Sequence, residues 1–94
     1  MAFARIAVFP GGTQEQYEHL GELMGDGVRD QPERLLIAAG PSEDGWQIIQ
    51  VWKNREALDR FIEEHLRPAM EQAGDRGYPQ PPRITDIELA DLHM

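Results

Sequence analysis

The sequence predicts one α+β domain of split βαβ type over residues 1–94, with element order β-α-β-β-α-β. Three observations carry this. Four short runs have strand-like spacing, the first two of them closed by glycine and proline, and two stretches repeat apolar residues every three or four positions. The strands are also apolar on both faces, which bears on how the domain is covered.

The first strand runs from Ala2 to Phe9 and closes at Pro10-Gly11-Gly12. Ala4, Ile6 and Val8 point one way; Phe3, Arg5, Ala7 and Phe9 point the other. Thr13 and Gln16 form a capping-box pattern for a helix whose stripe is Tyr17, Leu20, Gly21 and Met24. Gly25 to Glu33 reads as a loop. Arg34 to Ala39 is a second strand, Gly40 to Gly45 a turn, and Trp46 to Trp52 a third strand, so these two make a hairpin.

Asn54 caps a second helix, with Ala57, Leu58, Phe61, Ile62, Leu66, Ala69 and Ala73 on its apolar side. Pro68 removes one backbone bond and is expected to kink or restart that helix near Glu64. Gly74 to Arg83 holds three prolines and is a loop, and Arg83 to Leu92 is the last strand.

The formal charge of −8 repels phosphate backbones and anionic lipid, so neither nucleic acid nor membrane is expected as a partner. There is no cysteine, which removes disulfides and thiol chemistry. No apolar run approaches the ~20 residues of a membrane span. No signal-peptide pattern opens the chain, and cytoplasm is the default location.

Two interlocked right-handed crossovers give a ferredoxin-like, four-stranded antiparallel sheet with both helices on one face. The helix-free face of a sheet in water alternates toward polar residues, and this one does not. The same face of a second copy is its natural cover, which predicts a homodimer joined sheet to sheet into a barrel.

At this point the chain resembles the dimeric α+β barrel superfamily, and within it the antibiotic-biosynthesis-monooxygenase-like proteins. The likeness is most specific over Gly45-Trp46-Gln47-Ile48-Ile49-Gln50-Val51-Trp52-Lys53-Asn54-Arg55-Glu56-Ala57-Leu58. A strand ending in Trp, a short capped turn and Glu-Ala-Leu opening a helix are common in that family. The resemblance implies a pocket between helices and sheet for a small hydrophobic or aromatic ligand, and oxidation without flavin, metal or other cofactor. In such enzymes a strand Trp helps hold a flat polyaromatic substrate. Many relatives carry a histidine where Phe61 stands here, so their acid–base role does not carry over to His65, one turn further on.

His65 lies at the centre of the second helix's apolar stripe, flanked by Leu58, Ile62 and Ala69. It is the candidate base, because imidazole moves protons near neutral pH; the alternative is a core histidine satisfied by a neighbour. Trp52, Tyr17, Phe61 and Trp46 are the candidate substrate walls. The packing alternative puts Trp52 under the helix start and Trp46 at the dimer seam. Arg5 and Gln50 are polar residues within apolar strands. Arg5 reads as an ion pair at the interface, with Asp86 or Glu88, or else as a clamp for a substrate carboxylate. The loop from Gly25 to Glu33 is the natural lid.

No glycine-rich phosphate loop, Walker motif, nucleophile elbow or metal-spaced histidine pair is present. Two functions remain open: a cofactor-free monooxygenase-like enzyme acting on an aromatic or polyketide-type molecule, and a non-catalytic ligand-binding or accessory protein of the same fold.

Overall fold

The computed structural model describes residues 2–25 and 31–93. Strands β1 (Phe3–Pro10), β2 (Arg34–Ser42), β3 (Gly45–Trp52) and β4 (Arg83–Glu88) form one antiparallel sheet in the order β2-β3-β1-β4. That order, with two helical segments packed on one face, is the ferredoxin-like arrangement. Residues 26–30, the middle of the segment read as a lid, lie outside the described residues.

Helix α1 (Gln14–Met24) begins as its sequence dictates. The Thr13 hydroxyl accepts from the Gln16 amide at 3.2 Å, and the Gln16 side chain accepts from the Thr13 amide at 2.9 Å. Leu20 is buried against Ala69 and Ala73, whereas Gly21 of the same stripe is exposed. Asn54 caps α2 (Arg55–Phe61) by accepting from the Ala57 amide at 2.8 Å.

Pro68 acts one turn upstream of itself. It has no N–H to give, and its ring would press on the carbonyl of Glu64, four residues back. The chain accommodates this by widening into a π turn, Ile62–Leu66, in which the Arg67 amide donates to Ile62. An α-helix, α3 (Arg67–Ala73), then resumes.

The limits of β1 and β3 differ from the sequence reading by one residue, and the ends of β2 and β4 by more. The second strand continues through Gly40 and Pro41 to Ser42, leaving only Glu43-Asp44 as the turn. Proline signals a break, but β2 is an edge strand, where a residue without an N–H is tolerated. The turn also packs tightly on the end of β1. Gly45 has φ +154°, and a Cβ there would overlap the carbonyl oxygen of Phe9. The last strand stops at Glu88, although Leu89 still donates to the carbonyl of Ala2 at 2.9 Å.

The register assigns the two faces. Phe3 pairs with Trp52, Ala7 with Ile48 and Phe9 with Trp46, and these six lie in the two clusters under the helical segments. Trp46 is therefore packed on the helix side, beside Phe9 and Tyr17, and not on the helix-free face where a sheet-to-sheet seam would run. Its shared parity with Trp52 places it there. The opposite face presents Ala4, Ile6 and Val8 of β1, Ile49 and Val51 of β3, Leu36 of β2 and Ile87 of β4. Leu36 and Ile87 are 43% and 44% exposed, so the row Leu36-Val51-Ala4-Ile87 is apolar to both edges, while Gln47, Thr85 and Arg83 bring polar groups to the other end of that face.

Candidate functional site

The helical segments leave part of their own side of the sheet bare. Ile37 is paired with Gln50, and Ala39 with Ile48, so both face the helix side, yet both are exposed. They form an apolar shelf at the β2 edge, next to β3. A depression of about 170 Å³ at the same β2 edge is lined by Ala38, Ala39, Gly40, Pro41, Gln47 and Ile49; by register Ala38, Gly40, Gln47 and Ile49 belong to the helix-free face, so it is not part of the shelf.

Behind the shelf stands a row of rings. Trp52 and Phe61 have centres 5.2 Å apart, and Phe61 and His65 have centres 5.6 Å apart. Trp52 and Phe61 belong to the core cluster with Phe3, Ala57 and Leu58. They are buried, as is Trp46, so the three strand and helix aromatics back the site and do not line its surface. His65, on the π turn, is half-buried at the outer end of the row. Tyr17 is half-buried as well and tilts over Trp46 at 5.4 Å.

Two polar groups complete the arrangement. The Trp52 indole N–H donates to Gln50 Oε1 at 2.9 Å. An indole nitrogen can only donate, so the amide must turn its oxygen inward and present its NH₂ elsewhere. Arg34, opposite Trp52 at the start of β2, places its guanidinium carbon 5.6 Å from the centres of both Trp52 and Phe61. Burial holds this guanidinium below its ordinary value, with Tyr17 acting the other way. Burial also pushes the Tyr78 phenol up, and Tyr17 adds to the rise. Tyr78 stacks on Phe9 at 4.0 Å, in the cluster that Tyr17 also packs against.

Arg5 is engaged within its own chain. It holds Asp86 in a two-pronged pair, Nε to Oδ1 at 2.8 Å and NH2 to Oδ2 at 3.0 Å. The partner is one of the two acids read from the sequence, but the pair joins neighbouring strands of one sheet. Arg34 was not singled out in the sequence. Its neighbours follow from strand register, which composition does not show; the clue available was an arginine opening an apolar strand. Among the described residues, no group of three or more His, Asp or Glu side chains is placed to hold a metal ion.

No sequence-family model matches the chain, and no curated protein is similar to it in sequence. Solved structures match it along its whole length. Rv0793 from Mycobacterium tuberculosis has a TM-score of 0.71 at 20% identity, covering 100% of both chains. A Chloroflexus aurantiacus protein described as a candidate antibiotic biosynthesis monooxygenase has a TM-score of 0.70 at 15% identity, covering 100% of this chain and 98% of that one. The chain has the antibiotic-biosynthesis-monooxygenase-like fold. A Deinococcus radiodurans structure of the same description has a TM-score of 0.65 at 16% identity, covering 100% and 97%. Identities this low establish shared architecture. No helix among the described residues is long and apolar enough to cross a membrane.

Proposed function

We propose that the chain forms a homodimer through its helix-free sheet face and binds a flat, largely apolar small molecule on the helix-side shelf. The observation that carries this is the exposed pair Ile37 and Ala39 beside the Trp52–Phe61–His65 row. Apolar surface is left open there on the face that the helices otherwise cover. A planar ring laid on the shelf removes that surface from water and meets Tyr17 and His65 at its margins.

The chemistry that fits is cofactor-independent oxygenation. His65 takes a proton from an activated C–H of the ligand, and the carbanion passes an electron to dioxygen. The resulting carbon radical and superoxide recombine to a peroxide with a new C–O bond, the imidazolium returns its proton to the outer oxygen, and cleavage of the O–O bond with loss of the second C–H proton releases water and leaves a carbonyl. The protein's contribution is placement, a base and a setting for the developing charge. Trp52, Phe61 and Trp46 hold the shape of the site from behind.

A second reading, ligand binding without turnover, is favoured by one observation. Among the described residues, His65 has a ring contact with Phe61 and no hydrogen bond or ion pair that would orient its imidazole. Oxygen uptake with anthrone separates the two. Turnover by the wild type that falls at least tenfold in His65→Ala supports the enzyme. Anthrone binding without oxygen consumption leaves the binding protein.

A further inference from the structure

We infer that Tyr78 is a removable plug, and that the slot it fills beside Phe9 and Trp46 is a binding site for a planar aromatic ketone. The slot stands independently of the shelf. Its cluster is Ala7, Phe9, Trp46 and Ile48, not the one that holds Trp52 and Phe61.

Two polar atoms in this cluster are idle. The Trp46 indole nitrogen and the Tyr78 hydroxyl oxygen are both shut off from water, and neither has a hydrogen-bond partner among the described residues. Trp46 is 5% exposed, and an indole N–H can only donate. Burial keeps the Tyr78 phenol protonated well beyond its ordinary range, so its hydroxyl is a second donor with nothing to receive it. Folded proteins pair nearly all such groups. A closed state that strands two of them is poised to exchange its plug for something that pairs them.

The segment that carries Tyr78 is lightly fastened. It is a strap, residues 77–82, between the short turn Gly74–Arg76 and the start of β4. Pro79, Pro81 and Pro82 have no N–H to tie it down, and Pro79, Gln80 and Pro81 are exposed. Tyr78 is its anchor. The ring stacks on Phe9 at 4.0 Å and lies so close to the end of β1 that a Cβ on Gly12 would sit 3.0 Å from its Cδ1. Beyond Tyr78, a cleft of about 490 Å³ is lined by Gln80 and Pro81 of the strap together with Pro10, Gly11, Asp44 and Arg83. The exposed Arg83–Asp44 ion pair closes the far end, and a pair in that setting holds weakly.

The exchange sets the class of the ligand. A flat ring takes the place of the Tyr78 ring on Phe9, so the stacking is regained. A carbonyl on that ring accepts from the Trp46 N–H, and the displaced Tyr78 hydroxyl passes into water. A formal charge of −8 disfavours an anionic acceptor, which leaves a neutral carbonyl.

The test compares 1-indanone with indane, a molecule of the same fused-ring shape and no acceptor, on the intact protein at pH 7. Proton–nitrogen NMR follows the two indole N–H signals, assigned with Trp46→Phe. The slot predicts that indanone moves the Trp46 signal downfield and binds roughly tenfold more tightly than indane. Tyr78→Phe keeps the ring but removes the stranded hydroxyl, so it favours the closed strap and weakens indanone. Tyr78→Ala removes the plug and tightens indanone, because less of the protein is held closed. Should Tyr78→Ala fold poorly by circular dichroism, Tyr78→Phe and the Trp46 signal carry the comparison. Indanone that moves signals of Ile37 and His65 but not the Trp46 indole overturns the slot and leaves the shelf standing. Failure of indanone to bind at millimolar concentration, or equal affinity for both probes unmoved by Tyr78→Phe, also overturns the slot.

Discussion

Trp52 and Gln50 lie two residues apart on one strand and one face, and the indole of the first donates to the amide of the second at 2.9 Å. Trp52 is 1% exposed, so its N–H has no access to water and depends on that single acceptor.

Gln50→Leu should therefore destabilise the protein by about 1–3 kcal/mol, the cost of leaving a buried donor unpaired. Trp52→Phe in the Gln50→Leu background removes the stranded donor and should show a smaller added loss than Trp52→Phe alone. Urea unfolding of the four proteins of this cycle measures the coupling.

The Arg5–Asp86 pair predicts an acid limb in the stability curve. The hydrogen bond from Arg5 holds the Asp86 carboxyl below its ordinary value. Its stabilisation is thus fully present above the unfolded carboxylate pKa of ~3.9 and disappears as pH falls through the lower folded value. Asp86→Asn should flatten stability between about pH 4 and pH 2, read from urea midpoints across that window.

Pro68→Ala restores a helical N–H and removes a ring from the path of the Glu64 carbonyl. The π turn should then tighten toward α-helix, with stability rising by about 1 kcal/mol or more. His65 would turn relative to Phe61, which its imidazole proton shifts report, since the rings are now 5.6 Å apart. Unchanged histidine shifts together with unchanged stability would show that the π turn does not depend on the proline.

Ile49 lies in the middle of the helix-free face, paired with Ile6. If that face joins two copies, Ile49→Lys buries a charge in the seam and should convert the assembly to single chains by sedimentation equilibrium. A wild type that already sediments as one chain would remove the dimer from the proposed function.

Much of the architecture was legible because it rests on periodicity and caps. Thr13 with Gln16, and Asn54 before Ala57, mark helix starts with chemistry that is local in sequence. What was not legible depends on strands that meet only after folding. Trp46 and Trp52 share a parity, but parity alone does not say which face the helices take; the pairing of both with Phe9 and Phe3 does. Gln50 stood out as a polar residue in an apolar strand, and a tryptophan two positions on was the available clue to its partner. Arg34 acquires its meaning from a register with Trp52 that crosses a bulge between Arg34 and Leu36, which no spacing rule anticipates.

Pro41, embedded near the end of the outermost strand, has one more effect. Leu36 and Ile37 leave that border greasy, and an open row of amides and carbonyls there would invite further strands to zip on, chain after chain. A missing N–H interrupts that row, so lateral growth toward fibrils is blocked at the rim. The proposed dimer uses the broad helix-free side instead, where two-fold pairing closes after one partner.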